Sequence, residues 1–75
     1  MEELLEVLKK VKPGVDFENN SNLIDEEILD SFDIVSIVAA INEEFDIQIT
    51  AKDIIPENFN SIEAMYSLVE KLEEE

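Results

Sequence analysis

The chain has 75 residues, enough for one small domain around one modest core. It carries 20 Asp and Glu against 5 Lys, a net charge of -15, which repels nucleic-acid backbones and anionic membrane surfaces and favours partners with a basic patch. It has no Cys and no His, which removes disulfides, thiolate metal sites and the usual neutral-pH general base. Carboxylates alone can do acid–base work, but they need a deep cleft that so short a chain is not expected to build. The expectation is a non-catalytic protein with no nucleic-acid partner. No stretch is apolar enough to span a membrane, and the first residues lack a signal pattern, so a cytoplasmic protein is expected; a monomer is expected as well.

Leu4, Leu5, Leu8 and Val11 recur at helical spacing and predict a first helix. Glu2 and Glu3 at its start, and Lys9, Lys10 and Lys12 at its end, complement the helix dipole. Pro13-Gly14 stops it. Residues 13 to 29 read as a long loop, tied down by Val15, Phe17, Leu23, Ile24 and Ile28.

Asp30 predicts the N-cap of a second helix running to Phe45 or Asp46, with Asp33 adding negative charge in the first turn. Leu29 and Ile34 have the spacing of a hydrophobic staple. "FDIQIT", Phe45 to Thr50, alternates like a strand but has nothing to pair with, so it reads as an extended connector. Thr50 caps a short third helix, Ala51 to Ile55, with Ile49 and Ile54 as its staple, and Pro56 ends it. Asn60 and Glu63 have the spacing of a capping box for a last helix. Its stripe is Ile62, Met65, Tyr66, Val69 and Leu72, and the final "EEE" is expected to fray. The fold expected is an all-α bundle of three main helices and one short helix with a long first loop. It forms a single domain over residues 1–75.

Sorted at about 100° per residue, the second helix has two apolar arcs. Ile34, Ile37, Val38, Ile41 and Phe45 make the core stripe. Phe32, Val35 and Ala39 fall on a separate arc, with Ser36 and Glu43 beside them. That ridge either docks a partner or packs under the long loop or the third helix. With Asp30 capping, the hydroxyl of Ser31 is not needed by the backbone. It stands where a helix N-terminus favours a phosphate ester.

"LDSFDIVSIVAAINEEFDIQI" resembles the phosphopantetheine-binding region of acyl and peptidyl carrier proteins. The signature is Asp-Ser followed by an apolar residue, here Asp30, Ser31 and Phe32. "NEEFDIQI" fits the helix exit, and "PENFNSIEAM" resembles the entry to the last helix of stand-alone carriers. The resemblance implies a four-helix, acyl-carrier-like fold and a 4′-phosphopantetheine arm, moved from coenzyme A to Ser31 by a phosphopantetheinyl transferase, beside Asp30. The arm's thiol would hold an acyl or aminoacyl cargo as a thioester. Loading ligases or transferases and downstream acyl-processing enzymes would be the partners. Fatty-acid, polyketide, nonribosomal peptide and D-alanyl transfer pathways all use such carriers. By position, Phe32, Asp33, Val35, Ala39, Glu43 and Ile54 would dock them.

The sequence departs from the family pattern at several points. Glu27 and Ile28 stand where a glycine is common shortly before the serine. Ser36 and Asn42 replace frequent glutamates, and Ala39 replaces a larger apolar residue. These departures point away from the housekeeping fatty-acid carrier and toward a dedicated one, such as the D-alanyl carriers. A different class is offered by "DFENNSNLIDEE". It places Asp16, Glu18, Asn20, Asn22, Leu23 and Glu27 near the spacing of a calcium-binding EF-hand loop, though Ser21 replaces the turn glycine. A plain helical interaction module is the third reading.

Overall fold

The computed structural model describes residues 2–74, and its elements follow from local signals. Helix α1 (Glu2–Val11) buries Leu4, Val7 and Leu8 and carries Lys9 and Lys10 in its last turn. Helix α2 (Ser31–Phe45) buries Ile37 and Ile41. A 3₁₀ turn (Ala51–Asp53) leads into the one-turn α3 (Pro56–Phe59), and α4 (Ile62–Glu74) buries Ile62, Met65, Leu68 and Val69. Helix α1 packs on α2 and α4, and α3 packs on α4. No strand occurs among the described residues, and Phe45–Thr50 leaves α2 as the expected connector.

The loop from Lys12 to Asp30 is held by its own apolar side chains. Phe17, Leu23 and Leu29 are buried, and Val15, Ile24 and Ile28 pack half-buried against the same core. Within it, one helical turn is closed in the manner of a helix C-terminus. Glu27 N–H donates to the Ile24 carbonyl at 3.0 Å and Ile28 N–H to the Leu23 carbonyl at 3.0 Å, with Glu27 left-handed at φ 58°. This is the Schellman arrangement, in which the left-handed position usually holds glycine.

Four boundaries differ from expectation. Pro56 begins α3 instead of ending the preceding turn. A proline at the first helical position needs no N–H partner and brings its φ pre-set, so it starts a helix as readily as it stops one. Ala51–Ile55 is correspondingly shorter, a single 3₁₀ turn. Its Asp53 carboxylate accepts the Thr50 N–H at 3.4 Å and the Thr50 hydroxyl at 3.2 Å. The cap of α4 is Ser61, whose Oγ accepts the Ala64 N–H at 3.1 Å.

Asn60, expected to be that cap, clamps the long loop instead. Its Oδ1 accepts the N–H groups of Ile24 and Asp25 at 2.9 and 3.1 Å, and its carbonyl accepts the Leu23 N–H at 2.9 Å. Helix α4 also continues through Glu73 and Glu74, where fraying was expected, while Glu75 lies outside the described residues.

Candidate functional site

The site is built where the loop meets α2. Leu29 is buried, and its N–H donates to the Leu23 carbonyl at 3.1 Å. Asp30 then turns extended, at φ -101° and ψ -177°, and caps α2. Its Oδ1 accepts the Asp33 N–H at 2.9 Å, while Asp33 Oδ2 accepts the Asp30 N–H at 3.2 Å. This is a reciprocal capping box with Asp in the place usually held by Glu or Gln. Because Asp30 satisfies the backbone, Ser31 stands as the first helical residue, exposed, with its hydroxyl free of capping duty.

Behind the cap stands Lys12. Its Nζ donates to the Ile28 carbonyl at 3.1 Å and pairs with Asp33 Oδ2. Among the described residues this is the one ion pair. The hydrogen bond from Lys12 holds the Asp33 carboxyl below its ordinary value, helped by the Asp30 N–H and opposed by burial. The Asp33 side chain is 15% exposed. It was expected on the docking face, but it faces α1.

The remaining ridge residues point outward. Phe32 is 77% exposed and Val35 65%, with Ala39 and Glu43 exposed further along α2. Ile37 and Ile41, on the other arc, are completely buried. The two-arc reading of this helix is therefore what the fold uses, and Phe32 does not pack under the loop. Ile54 is exposed beyond the 3₁₀ turn, as is its neighbour Ile55, which the sequence reading did not single out. Nothing in the local pattern marks Ile55, because exposure there depends on how α3 packs. Beside Ser31 lies a hollow lined by Ile24, Glu27, Leu29, Asp30 and Ile34, so both expected staple residues line it.

Two departures from the family pattern find structural reasons. Glu27, near the usual glycine, takes the left-handed backbone that glycine favours. Asn42 serves the backbone at the exit of α2. Its Oδ1 accepts the Ile49 N–H at 2.8 Å, and its carbonyl accepts the N–H groups of Asp46 and Ile47.

The calcium-loop reading is not supported by the geometry. Asp16 takes up the Asn19 N–H and amide, and Asn20 Oδ1 accepts the Asn22 N–H at 2.8 Å. Among the described residues no three Asp or Glu side chains are grouped to hold a metal ion. Nor is any helix there long and apolar enough to cross a membrane.

Comparison with known proteins identifies a family. Residues 1–69 match the family described as phosphopantetheine attachment site. An acyl carrier protein of Buchnera aphidicola subsp. Baizongia pistaciae is 36% identical over 53 residues, covering 71% of this chain and 65% of its own length. One from Buchnera aphidicola subsp. Schizaphis graminum is 42% identical over 45 residues, covering 60% and 54%. The chain thus spans less than two thirds of the length of these relatives. No solved structure matches it. At the start of α2 the Ser31 hydroxyl is exposed and lies beside the hollow, at a helix N-terminus, a place that favours a phosphate ester. The chain belongs to the phosphopantetheine attachment site family, whose members bear a covalently attached 4′-phosphopantetheine.

Proposed function

We propose that this chain is an acyl carrier protein in which Ser31 bears the arm and α2 presents it to partner enzymes. The observation that carries the reading is the exposed Ser31 at the first position of α2, released from capping by Asp30. The phosphopantetheine group supplies the thiol, absent from the chain itself, on which an acyl cargo is held as a thioester. The chain's own residues do the rest. The first-turn N–H groups that the Asp30 cap does not use, with the helix dipole, favour the negative charge of a phosphate ester on the Ser31 oxygen. The hollow of Ile24, Leu29 and Ile34 gives the attached group an apolar wall on one side. The carrier catalyses nothing alone: the transferase and the loading and acyl-processing enzymes supply the chemistry.

The docking surface proposed is Phe32, Val35, Ala39 and Glu43 of α2, joined by Ile54 and Ile55 across the connector. Asp33 contributes through the cap and not through contact. With Ser36, Ala39 and Asn42 in place of larger or acidic residues, this face is more apolar than acidic. The partner surface that fits is an apolar groove with a basic rim. That favours a dedicated pathway with its own loading enzyme over housekeeping fatty-acid synthesis, and a D-alanyl or other special cargo fits it.

The test is intact-mass measurement after incubation with coenzyme A, magnesium and a broad-specificity phosphopantetheinyl transferase. The reading requires one added phosphopantetheine, absent in Ser31→Ala. A chain that stays unmodified with several transferases, each loading a control carrier, is not a carrier of this kind.

A further inference from the structure

The residues before Ser31 are fixed from two sides. Ile28 N–H is bound by the Leu23 carbonyl at 3.0 Å, and its own carbonyl is bound by Lys12 at 3.1 Å. Leu29 is anchored by burial and by its N–H. Asp30 is locked to Asp33 through both partners of the capping box. A capping box alone would orient Ser31 only relative to α2. Lys12, one residue beyond α1, adds a side-chain tie from the cap to the segment that follows α1. It also places one positive charge against Asp33, next to the Asp30 carboxylate. Without it, two carboxylates share a cap uncompensated, and the Ile28 carbonyl loses its side-chain donor.

The other four lysines are exposed, and the one ion pair among the described residues sits behind the serine, although the chain has 20 acids in all. We infer that Lys12 is a positioning residue for modification at Ser31: it holds the Ile28–Asp30 segment against α1 so that the hydroxyl meets the transferase in one orientation. The inference rests on Ser31 being the attachment point. Lys12 does not belong to the exposed row that partners would touch, so its removal should impair the reacting geometry more than recognition.

The experiment measures initial rates of loading against carrier concentration for the wild type, Lys12→Met, Lys12→Arg and Asp33→Asn. Lys12→Met should lower kcat about tenfold or more, the scale of a small misplacement, with KM within about twofold. Lys12→Arg should recover most of the loss, and Asp33→Asn should fall between. A core variant, Val7→Ala, controls for stability and should load at the wild-type kcat while folded. A folded Lys12→Met with wild-type kcat overturns the inference. So does a loss confined to KM, or an equal loss in Val7→Ala.

Amide hydrogen exchange gives a second reading independent of the transferase. The Asp30 and Asp33 amides should exchange faster in Lys12→Met while Ile41 does not change; unchanged exchange at the cap overturns the inference. If Lys12→Met does not fold, Asp33→Asn carries the same two measurements. If the wild type takes no group at all, the Ser31 reading fails, and amide exchange alone decides whether Lys12 holds the cap.

Discussion

The two faces of α2 make a matched pair of perturbations. Val35 is already 65% exposed, so Val35→Asp removes only about a third of a side-chain burial worth roughly 1.5–3 kcal/mol, a cost of about 0.5–1 kcal/mol. Valine and aspartate have similar helix propensities, and the fifth residue of α2 is near enough to the N-terminus for a negative charge to be tolerated. Ile41 is completely buried. Ile41→Asp loses the whole transfer energy and also places a carboxylate where nothing solvates it, a cost of about 5 kcal/mol or more. A chain of this size has about 4–11 kcal/mol to lose. Urea unfolding followed by circular dichroism should therefore show Val35→Asp unfolding close to the wild-type midpoint and Ile41→Asp stripped of much or all of its stability. Loading measured on the same samples should fall in Val35→Asp although it is folded, because a charge then interrupts the apolar row beside Ser31. If Val35→Asp unfolds the domain, Val35 is part of the core. If it folds and loads and transfers like the wild type, the row is not a docking surface.

Other consequences concern the turn that delivers the serine. Glu27→Gly removes an L-residue from the left-handed region and should stabilise by about 0.5–1 kcal/mol after the entropy of glycine is subtracted, raising Tm by roughly 2–8 °C; a lower Tm would contradict the Schellman reading. Asn60→Ala leaves the Ile24 and Asp25 N–H groups without their acceptor and should cost about 1–3 kcal/mol by urea unfolding, with faster amide exchange at Ile24. The acid limb of stability should depend on Asp33. Its carboxyl is held below 3.8 by the Lys12 hydrogen bond, so its contribution is present above the unfolded value and disappears as pH falls through the lower folded one. Stability measured from pH 6 downward should thus decline less below about pH 4 in Asp33→Asn than in the wild type. Parallel curves would show that the pair does not couple to folding.

What the sequence makes legible is what local chemistry decides. The periodicity of α1, α2 and α4 and the cap at Asp30 are readable because each depends on residues within one or two turns. The split of α2 into buried Ile37 and Ile41 and exposed Phe32 and Val35 follows from the helical angle alone. Pro56 and Asn60 misled for the same reason as each other: each residue is good at two jobs. Proline both stops and starts helices, and adjacent Asn60 and Ser61 are both capable caps. The choice was made by a contact across 35 and 36 residues, where Asn60 is taken up by Ile24 and Asp25 and Ser61 is left to cap. Lys12 and Asp33 are 21 residues apart, so no local pattern could show that the Asp33 side chain pairs with Lys12 instead of joining the proposed docking row. Glu27 reads in the sequence as a missing glycine and as the last position of a calcium-loop spacing; its left-handed backbone gives the missing glycine a physical meaning.

The central claim is that Ser31 is the tether, and fragmentation of the loaded chain tests it most directly. After reaction with coenzyme A and a transferase, tandem mass spectrometry of the proteolysed protein should place the whole mass gain on the peptide containing Ser31, with Ser31→Ala unmodified and still folded. A gain located on Ser21, Ser36, Ser61 or Ser67, or no gain under conditions that load a control carrier, would contradict the account.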